Sequence, residues 1–272
     1  MKQVALVTGA SSGIGRATAL KLLDAGYIVY VAARRADKLA ELEEFGGIPL
    51  VMDVTKEEDV KDAMSKIMES YQGVDILVNN AGFALYGAVE DITIEQARTQ
   101  FEVSMFGLAR VTKAVLPYMR DVRSGKIINI SSMGGKIYTP LGAWYHAAKH
   151  ALEGWSDCLR LELKQFGIDV VIVEPGVINT EFADVLIDAL IKTSGDGPYK
   201  QLAKKTAERI KESYSPGAGS NPSVVADTIL KAIKSNNPKT RYAVGKHAKP
   251  SMMARKLLGD KNFDKIMMSL YK

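Results

Sequence analysis

The sequence predicts an α/β fold in which a parallel sheet of seven strands is covered by helices on both faces. Short apolar runs, typical of strands buried on both faces, alternate along the chain with longer segments of helical periodicity. Such alternation is typical of parallel strands that are joined by right-handed crossovers. The predicted strands are residues 3–8, 27–33, 48–53, 74–79, 126–131, 169–174 and 241–245.

Two segments fit the capping box, in which a Thr and a Glu or Gln three residues later satisfy free N–H groups at a helix start. They are Thr55 with Glu58, and Thr93 with Gln96. The helix after the second box is predicted to run to about Tyr118 and to bend near Pro117, since proline cannot donate the helical hydrogen bond.

The first predicted strand leads into the glycine-rich turn of VALVTGASSGIGRA. Glycine allows a close approach of the backbone to a pyrophosphate, and the following helix N-terminus offers free N–H groups to the anion. No Gly-Lys-[Ser/Thr] follows, so a P-loop is not predicted. We expect a dinucleotide site here, with a glycine-rich turn that binds no cofactor as the alternative. The residues concerned are Gly9, Ser11, Ser12, Gly13, Ile14 and Gly15.

Three polar side chains predict acid/base chemistry at a C–O centre. Tyr145 and Lys149 stand one helical turn apart in WYHAAKHALEGW, and Ser132 precedes them in NISSMGG. A cation one turn away is expected to lower the pKa of a tyrosine, which is about 10 when unperturbed. A serine hydroxyl can hold a carbonyl or alcohol oxygen while the proton moves. Without Tyr145 and Lys149, Ser132 would be interpreted as a hydroxyl that caps a strand end.

Together these motifs resemble those of the short-chain dehydrogenase/reductases in their single-domain form. The resemblance covers about Lys2 to Gly245 and implies a Rossmann-like, doubly wound sheet with hydride transfer to or from a nicotinamide. A looser likeness points to hydroxysteroid, retinol and acyl-dihydroxyacetone-phosphate reductases. The matching motifs are Thr8-Gly9-(x)3-Gly13-Ile14-Gly15, Asp53-Val54, Asn79-Asn80-Ala81-Gly82, Ser132, Tyr145-(x)3-Lys149 and Pro175-Gly176-(x)3-Thr180.

The resemblance also implies roles for individual residues. Ser132, not Ser131, has the family's thirteen-residue spacing to Tyr145. Lys149 is expected to bind the nicotinamide ribose as well as to stabilise the phenolate. Asp53 and Val54 are expected near the adenine, and Asn80, Ala81 and Gly82 along the cofactor. Pro175 and Gly176 end the sixth strand at the same edge, where a plain turn is the alternative, and Val177 and Thr180 are expected to contact the nicotinamide end.

The end of the second predicted strand, YVAARR, favours NADP(H) over NAD(H). An acidic residue at this point would bind the ribose hydroxyls of NAD, but Ala33 stands there instead. Arg34 and Arg35 follow, and arginine forks match the geometry of a 2′-phosphate. The alternative interpretation is a pair of solvated arginines at a helix start.

One position departs from the family pattern. Family members usually carry an asparagine in N-x-F-G, where it supports a water relay to the lysine. The present segment reads FEVSMFGLARVTKA, so Ser104 occupies that place. A shorter side chain with one donor leaves the relay geometry open, and we expect Ser104 to act through water.

The substrate is predicted to be a small lipophilic carbonyl compound or alcohol. Apolar side chains should surround the site, and residues of about 181–221 form a lid-like insertion within a single domain of residues 1–272. The alternative is that the insertion packs against its own domain or a partner subunit. The residues expected at the site are Phe83, Leu85, Tyr86, Met133, Tyr138, Leu141, Trp144, Val177, Phe182, Leu186, Ile187, Leu190 and Ile191.

The composition and motifs of the chain limit its expected location and binding partners. The single Cys158 excludes an internal disulfide framework, and no apolar run is long enough for a membrane span. The first strand starts too early for a cleavable signal peptide, so a cytoplasmic location is expected. No base-reading module is found, so nucleic acid is not expected as a partner. No metal site is expected either. By resemblance, a homodimer or homotetramer is expected.

The positive charge is concentrated near the C-terminus. Residues 231–272 contain eleven Lys or Arg and two acidic residues, whereas the whole chain has a net charge of +5. The basic tail of about 246–272 mixes these charges with Met, Leu and Phe. Three interpretations stay open: contact with an anionic membrane surface, steering of an anionic substrate, or a solvated basic helix docked by its apolar face.

The sequence therefore predicts an NADP-dependent oxidoreductase. Two other classes remain as alternatives. A nucleotide-sugar epimerase also uses Tyr-x-x-x-Lys, but it generally has a different glycine spacing and a larger C-terminal region. A non-catalytic cofactor sensor would be expected to have lost Tyr145 or Lys149, and both are present.

Overall fold

The computed structural model describes residues 2–215 and 217–271, and in them seven parallel strands form one sheet. The strand order is β3-β2-β1-β4-β5-β6-β7, so the direction of winding reverses between β1 and β4. The predicted strands are confirmed to within two residues at each end. Their bounds are β1 Val4–Thr8, β2 Ile28–Ala33, β3 Ile48–Val51, β4 Ile76–Asn79, β5 Gly125–Ile130, β6 Ile168–Pro175 and β7 Arg241–Val244.

Helices cover both faces of the sheet, as the alternation of the elements predicts. One face packs its apolar side chains against α3, α5 and α6, and the other packs against α1, α2 and α9. The described helices are α1 Gly13–Asp24, α2 Ala36–Glu43, α3 Glu57–Ser70, α4 Ile94–Phe101, α5 Leu108–Asp121, α6 Ala143–Leu163, α7 Phe182–Ser194, α8 Lys200–Ser213, α9 Ser223–Lys234 and α10 Ala248–Ser269. None of these helices has a stretch long and apolar enough to cross a bilayer.

One of the two predicted capping boxes is confirmed and the other is wrong. Thr93 accepts a hydrogen bond from Gln96 N–H, and the Gln96 side chain accepts one from Thr93 N–H. At the other position α3 has Lys56 as its N-cap, without a side-chain hydrogen bond. Thr55 instead donates its N–H and its hydroxyl to Asp53 Oδ1, at 2.9 and 2.8 Å. The Asp53 carboxylate therefore replaces the predicted box with a local turn.

The predicted helix from Thr93 to Tyr118 is divided into three segments. A π-helical stretch, Glu102–Gly107, separates α4 from α5, and α5 continues through Pro117 to Asp121. The departure from α-helical geometry thus lies at the π-helical stretch instead of at the proline. Such insertions are frequent next to functional sites, because they redirect the side chains of one turn.

A buried polar network links the two central strands to the helices below them. Asn79 Nδ2 donates to Asn129 Oδ1 at 2.9 Å and to Thr112 Oγ1 at 3.0 Å. Asn129 Nδ2 in turn donates to Ser156 Oγ at 2.9 Å. All four residues are buried, so these hydrogen bonds satisfy polar groups that water cannot reach. The network confirms the prediction that Asn79 connects strands.

In the segment predicted to be an insertion, about residues 181–221, the described part consists mainly of α7 and α8. Leu186 and Leu190 of α7 pack with Ala203 and Ala207 of α8. The same apolar cluster includes Tyr86, Leu141 and Tyr145 from the body of the fold. The two helices therefore lie over the segment that carries Tyr145.

We predict that Asn129→Ala destabilises the protein by about 2–4 kcal/mol, because it removes two buried hydrogen bonds and leaves Ser156 Oγ and part of Asn79 unsatisfied. Urea unfolding at equilibrium measures this change. Asn236→Ala is the control, because Asn236 is exposed, and its effect should stay within about 0.5 kcal/mol. Equal effects of the two substitutions would contradict the role of the network.

Candidate active site

A cleft of about 680 Å³ opens at the carboxyl edge of the sheet. Parallel strands end at one edge, so residues that are far apart in the sequence meet there. The cleft collects most of the residues predicted for the site: Gly9, Ser11, Ser12, Gly13, Ile14, Arg34, Arg35, Asp53, Val54, Asn80, Ala81, Gly82, Ser132, Tyr145, Lys149, Pro175, Gly176 and Thr180. Gly15, Val177 and Ser104 do not line it.

The glycine-rich turn forms one wall of the cleft. Gly9 and Gly13 have φ values of +64° and +52°, which side chains rarely adopt. Gly15 does not face the cleft, but a Cβ there would lie 2.2 Å from Gly9 O, so its role is close packing of α1 on the turn. Ser12 is the N-cap of α1 and makes no side-chain capping bond. The first N–H groups of α1 therefore remain available to an anion, which fits the pyrophosphate of a dinucleotide.

Thr8 and Asn80 join this turn to the end of β4. Thr8 Oγ1 accepts hydrogen bonds from the backbone N–H groups of Asn80 and Ala81, at 3.0 and 3.1 Å. Asn80 Nδ2 donates to the carbonyls of Thr8 and Gly9, at 3.0 and 3.1 Å. Asn80 thus has a structural function at the cleft in addition to any contact with a ligand.

Two arginines follow β2 at the same edge. Arg34 is exposed and lines the cleft, next to the buried Ala33. Arg35 donates to Ser11 Oγ through Nη2 at 3.1 Å, and its Nη1 lies 3.7 Å from Glu181 Oε2. Arg35 therefore connects the glycine-rich turn with the start of the insertion, whereas Arg34 has its guanidinium free of any ion pair in the described residues.

Asp53 lies across the cleft from the turn, in the segment after β3. Burial tends to raise its pKa, but the two hydrogen bonds from Thr55 and the charge of Arg34 outweigh this and keep the pKa below its usual value. The carboxylate is thus ionised at neutral pH. Beside it, the Val54 carbonyl accepts a hydrogen bond from Arg110 Nη1 at 2.6 Å, which fixes this wall to α5.

Ser132 is held in place at the end of β5. Its Oγ accepts a hydrogen bond from Gly134 N–H at 3.0 Å and caps a short 3₁₀ turn, Met133–Gly135. The hydroxyl can still donate its own hydrogen, and it makes a hydrogen bond with Tyr145 in the cleft. Ser131 is buried, and within the described residues its Oγ has no hydrogen-bond partner.

Tyr145 lies on the first turn of α6, opposite Ser132. Burial raises the pKa of the Tyr145 hydroxyl, and a hydrogen bond with Ser132 acts against this increase. The pKa of Tyr145 in the protein is therefore raised, whereas the sequence predicted that Lys149 would lower it. The rings of Tyr86 and Phe182 lie 5.9 and 6.2 Å from that of Tyr145 and explain the apolar surroundings.

Lys149 is almost completely buried one turn further along α6. Its Nζ donates to the carbonyl of Ile130, at the end of β5, at 2.8 Å. Burial lowers the pKa of Lys149 to about 8, while the charge of Glu153 opposes this effect. The ammonium group is therefore still charged at neutral pH, but it loses its proton within reach of mildly alkaline conditions.

Glu153 continues the same face of α6 and belongs to a buried charge network. Glu153 Oε2 lies 2.9 Å from Lys136 Nζ and 3.0 Å from Arg241 Nε. Glu174 of β6 lies 3.7 Å from Arg241 Nε, and burial together with the Glu153 charge raises the pKa of Glu174 to about 7. This network ties α6 to β6 and β7 behind the cleft.

His146 is buried next to Tyr145 and is neutral. Its Nδ1 lies 2.9 Å from Gly134 O, which can only accept, so Nδ1 carries the hydrogen. Its Nε2 accepts a hydrogen bond from Thr139 N–H at 3.1 Å. Burial lowers the pKa of His146 to about 4. The imidazole therefore positions the loop before α6 without adding charge beside Tyr145.

Ser104 lies in the π-helical stretch, buried behind the cleft wall. Its Oγ accepts a hydrogen bond from Gln100 Nε2 at 2.7 Å. Gln100 also donates to Phe83 O and accepts from Leu85 N–H, so this network holds the loop after β4. A role for Ser104 in a water relay to Lys149 stays a prediction. Gly82 is adjacent, because a Cβ there would lie 3.8 Å from Ser104 Oγ.

Several predicted wall residues lie elsewhere. Val177 is buried, and its N–H donates to Lys246 O at 3.0 Å. Trp144 packs edge-to-face on Phe101 in a separate shallow groove. Tyr138 points to α10, where its hydroxyl donates to Asp264 Oδ1 at 2.8 Å. Each of these contacts depends on a residue that is distant in the sequence or on an irregular loop.

The sequence interpretation also missed residues that line the cleft. Tyr214, Glu181 and Val185 of the insertion do so, as do Thr99 and Val103 from α4 and the π-helical stretch. Tyr214 is the largest of these, and burial raises the pKa of its hydroxyl. The only signal available for it was an aromatic residue within the predicted insertion of about 181–221.

Known proteins are similar to this chain in sequence and in architecture. The family model described as short chain dehydrogenase matches residues 3–190. The 3-ketodihydrosphingosine reductase of Bacteroides thetaiotaomicron is 39% identical over 245 residues, which cover 89% of this chain and 88% of the relative.

Solved structures agree with that match. A short-chain dehydrogenase from Streptomyces avermitilis has a TM-score of 0.82 and 33% identity, covering 99% of this chain and 96% of its own. A single-residue variant of actinorhodin polyketide ketoreductase with NADPH has a TM-score of 0.75 and 32% identity, covering 88% of this chain and 94% of its own. The family-model match over most of the chain, the 39% identical relative and these two structures show that this chain belongs to the short-chain dehydrogenase/reductase family of NAD(P)-dependent oxidoreductases.

Proposed function

We propose that the protein is an NADPH-dependent reductase of lipophilic ketones, able to run in reverse as an alcohol dehydrogenase. The observation that carries this proposal is the position of Tyr145. It lines the cleft together with Ser132 and Lys149, while the aromatic ring of Phe182 from the insertion packs beside its own ring. A polar reacting centre against an apolar wall suits a carbonyl group on a hydrocarbon body.

The cofactor proposal rests on the nucleotide end of the cleft. Ala33 stands where an acid would favour NAD, and Arg34 and Arg35 follow it. Arg34 is exposed to the cleft with no ion pair among the described residues. When bound, the nicotinamide supplies or accepts the hydride. The turn from Gly9 to Gly15 would hold the pyrophosphate, and Asp53 would face the adenosine.

The proton step uses this chain's own groups. In reduction, Ser132 donates a hydrogen bond to the substrate oxygen and Tyr145 transfers its proton to that oxygen. The raised pKa keeps Tyr145 protonated before the reaction, which suits a proton donor. The phenolate formed afterwards lies one turn from the ammonium of Lys149, which stabilises it.

The substrate proposal rests on the insertion. Phe182, Val185, Leu186 and Tyr214 line the cleft from α7 and the end of α8, beside Phe83 and Ala84. We propose that this segment, about residues 181–221, acts as a lid over a hydrocarbon chain. The name of the 39% identical relative, a 3-ketodihydrosphingosine reductase, supports a long-chain ketone.

We predict that Tyr145→Phe lowers turnover by at least about 100-fold, because it removes the transferable proton and keeps the ring. NADPH oxidation with a lipophilic ketone, followed by absorbance, measures the loss, and NADPH titration should show nearly unchanged binding. Tyr214→Phe is the matched control, since Tyr214 lines the same cleft, and turnover should change by less than about tenfold. Turnover of Tyr145→Phe within a few-fold of wild type would refute the mechanism.

We predict that Arg34→Ala weakens NADPH binding by about 10–150-fold and leaves NADH binding nearly unchanged, because a charge-assisted hydrogen bond to the 2′-phosphate is lost. Dissociation constants from fluorescence titration measure both. Arg120→Ala is the control, since Arg120 is exposed and pairs only with its neighbour Asp121 among the described residues. Equal losses for both cofactors would make Arg34 a structural residue, and a wild-type preference for NADH would overturn the cofactor proposal.

We predict that kcat/KM rises with chain length in a series of straight-chain ketones, by up to about fourfold per methylene, until the apolar wall is filled. Leu186→Ser should flatten this dependence, because Leu186 lines the cleft, while Val89→Ser should not, because Val89 is exposed elsewhere. A kcat/KM that stays constant or decreases along the series would contradict a hydrocarbon-binding lid.

A further inference from the structure

The net charge of the chain resides in its C-terminal segment. Residues 246–272 contain seven Lys or Arg and two Asp, a surplus of five, which equals the +5 of the whole chain. The remaining residues are therefore neutral overall. A surface of this kind attracts anionic partners and repels a second copy of itself.

The segment is a defined helix with a buried inner face. Phe263 of α10 is buried and packs edge-to-face on Tyr138, with ring centroids 5.3 Å apart. The Arg255 guanidinium lies 5.2 Å from the centre of the Tyr138 ring, and Asp264 accepts the Tyr138 hydroxyl. These contacts fix which side of α10 faces solvent.

The outer face of α10 combines large apolar side chains with lysines. Met253 and Leu257, one turn apart, are 63% and 75% exposed. Lys249 and Lys256 of the same helical stretch are also exposed. Beyond the break in the helix at Gly259, the pattern repeats with the exposed residues Lys261, Lys265, Ile266, Met268 and Leu270. Lysines that flank exposed apolar side chains are typical of helices that lie in the interface of an anionic bilayer.

The helix also adjoins the reacting end of the cleft. Tyr138, which α10 holds, belongs to the loop between Ser132 and α6. After α10, burial raises the pKa of Tyr271, and a hydrogen bond with Thr139 opposes this rise. Thr139 in turn contacts His146 and Tyr86 beside Tyr145. The C-terminal segment therefore packs on the wall of the substrate region.

From this combination we infer that the outer face of α10 docks on an anionic lipid bilayer, next to the substrate end of the cleft. The lysines bind lipid headgroups, and Met253 and Leu257 enter the boundary between headgroups and acyl chains. Nucleic acid fits less well, because exposed Met and Leu side chains have no partner on a phosphate backbone. The inference rests on the proposed function and deepens it, because a lipophilic ketone dissolved in the bilayer would be presented to the cleft.

Sedimentation of the full-length protein with vesicles tests this inference without any measurement of turnover. Binding is expected with mixed phosphatidylglycerol/phosphatidylcholine vesicles, to decrease with salt, and to be absent with phosphatidylcholine alone. M253E/L257E should lower the partition coefficient at least about tenfold. Each Lys→Gln among Lys249, Lys256 and Lys261 should lower it about fivefold.

Met68→Glu is the matched control, because Met68 is exposed to a similar extent on α3, and its binding should be unchanged. All variants should retain their thermal unfolding midpoint and their activity on a short, water-soluble ketone. No binding to anionic vesicles, or an equal loss with Met68→Glu, would overturn the inference. So would sedimentation velocity showing that M253E/L257E dissociates an oligomer, since α10 would then cover another copy. If the protein binds vesicles but reduces no ketone, the proposed function would be wrong and the inference about α10 would stand.

Discussion

The geometry of the site depends on the junction between β1 and β4. Thr8 Oγ1 accepts two successive N–H groups from the chain that leaves β4, and Asn80 returns two hydrogen bonds to the turn. The winding of the sheet reverses at this point, so no crossover helix covers the crevice. The contact is also close: a Cβ on Gly9 would lie 2.9 Å from Ala81 Cα. Glycine at this position therefore allows the two strand ends to meet and the crevice to form.

The second constraint is the burial of a charged lysine. Removing an ammonium group from water is costly, and within the described part of the chain Lys149 Nζ donates one hydrogen bond, to the Ile130 carbonyl. The network of Glu153, Arg241 and Glu174 anchors the same helix to β6 and β7. The position of Tyr145 relative to Ser132 thus follows from a helix that is fixed at both its first turn, through His146, and its middle.

The sequence was sufficient for features that depend on local patterns. Buried apolar runs located the strands, and the order of the glycine, Ser, Tyr and Lys motifs located most of the cleft. The sequence prediction was wrong where a neighbouring side chain binds the same group. Asp53 accepts the hydrogen bond of the Thr55 hydroxyl, so Thr55 does not form the predicted capping box. The sequence prediction also failed for contacts made through tertiary packing: Tyr138 with α10, Val177 under Lys246, and Tyr214 in the cleft. Nothing in the local sequence of those residues specifies their partners.

The single thiol of the chain has a practical consequence. Cys158 is exposed on α6, thirteen residues after Tyr145, which corresponds to about 20 Å along the helix axis. A maleimide dye would attach at this one position, on the same rigid element as the tyrosine but outside the cleft. With a second dye on the insertion or on α10, energy transfer could report the distance of either segment from a fixed reference point, without prior removal of any native cysteine.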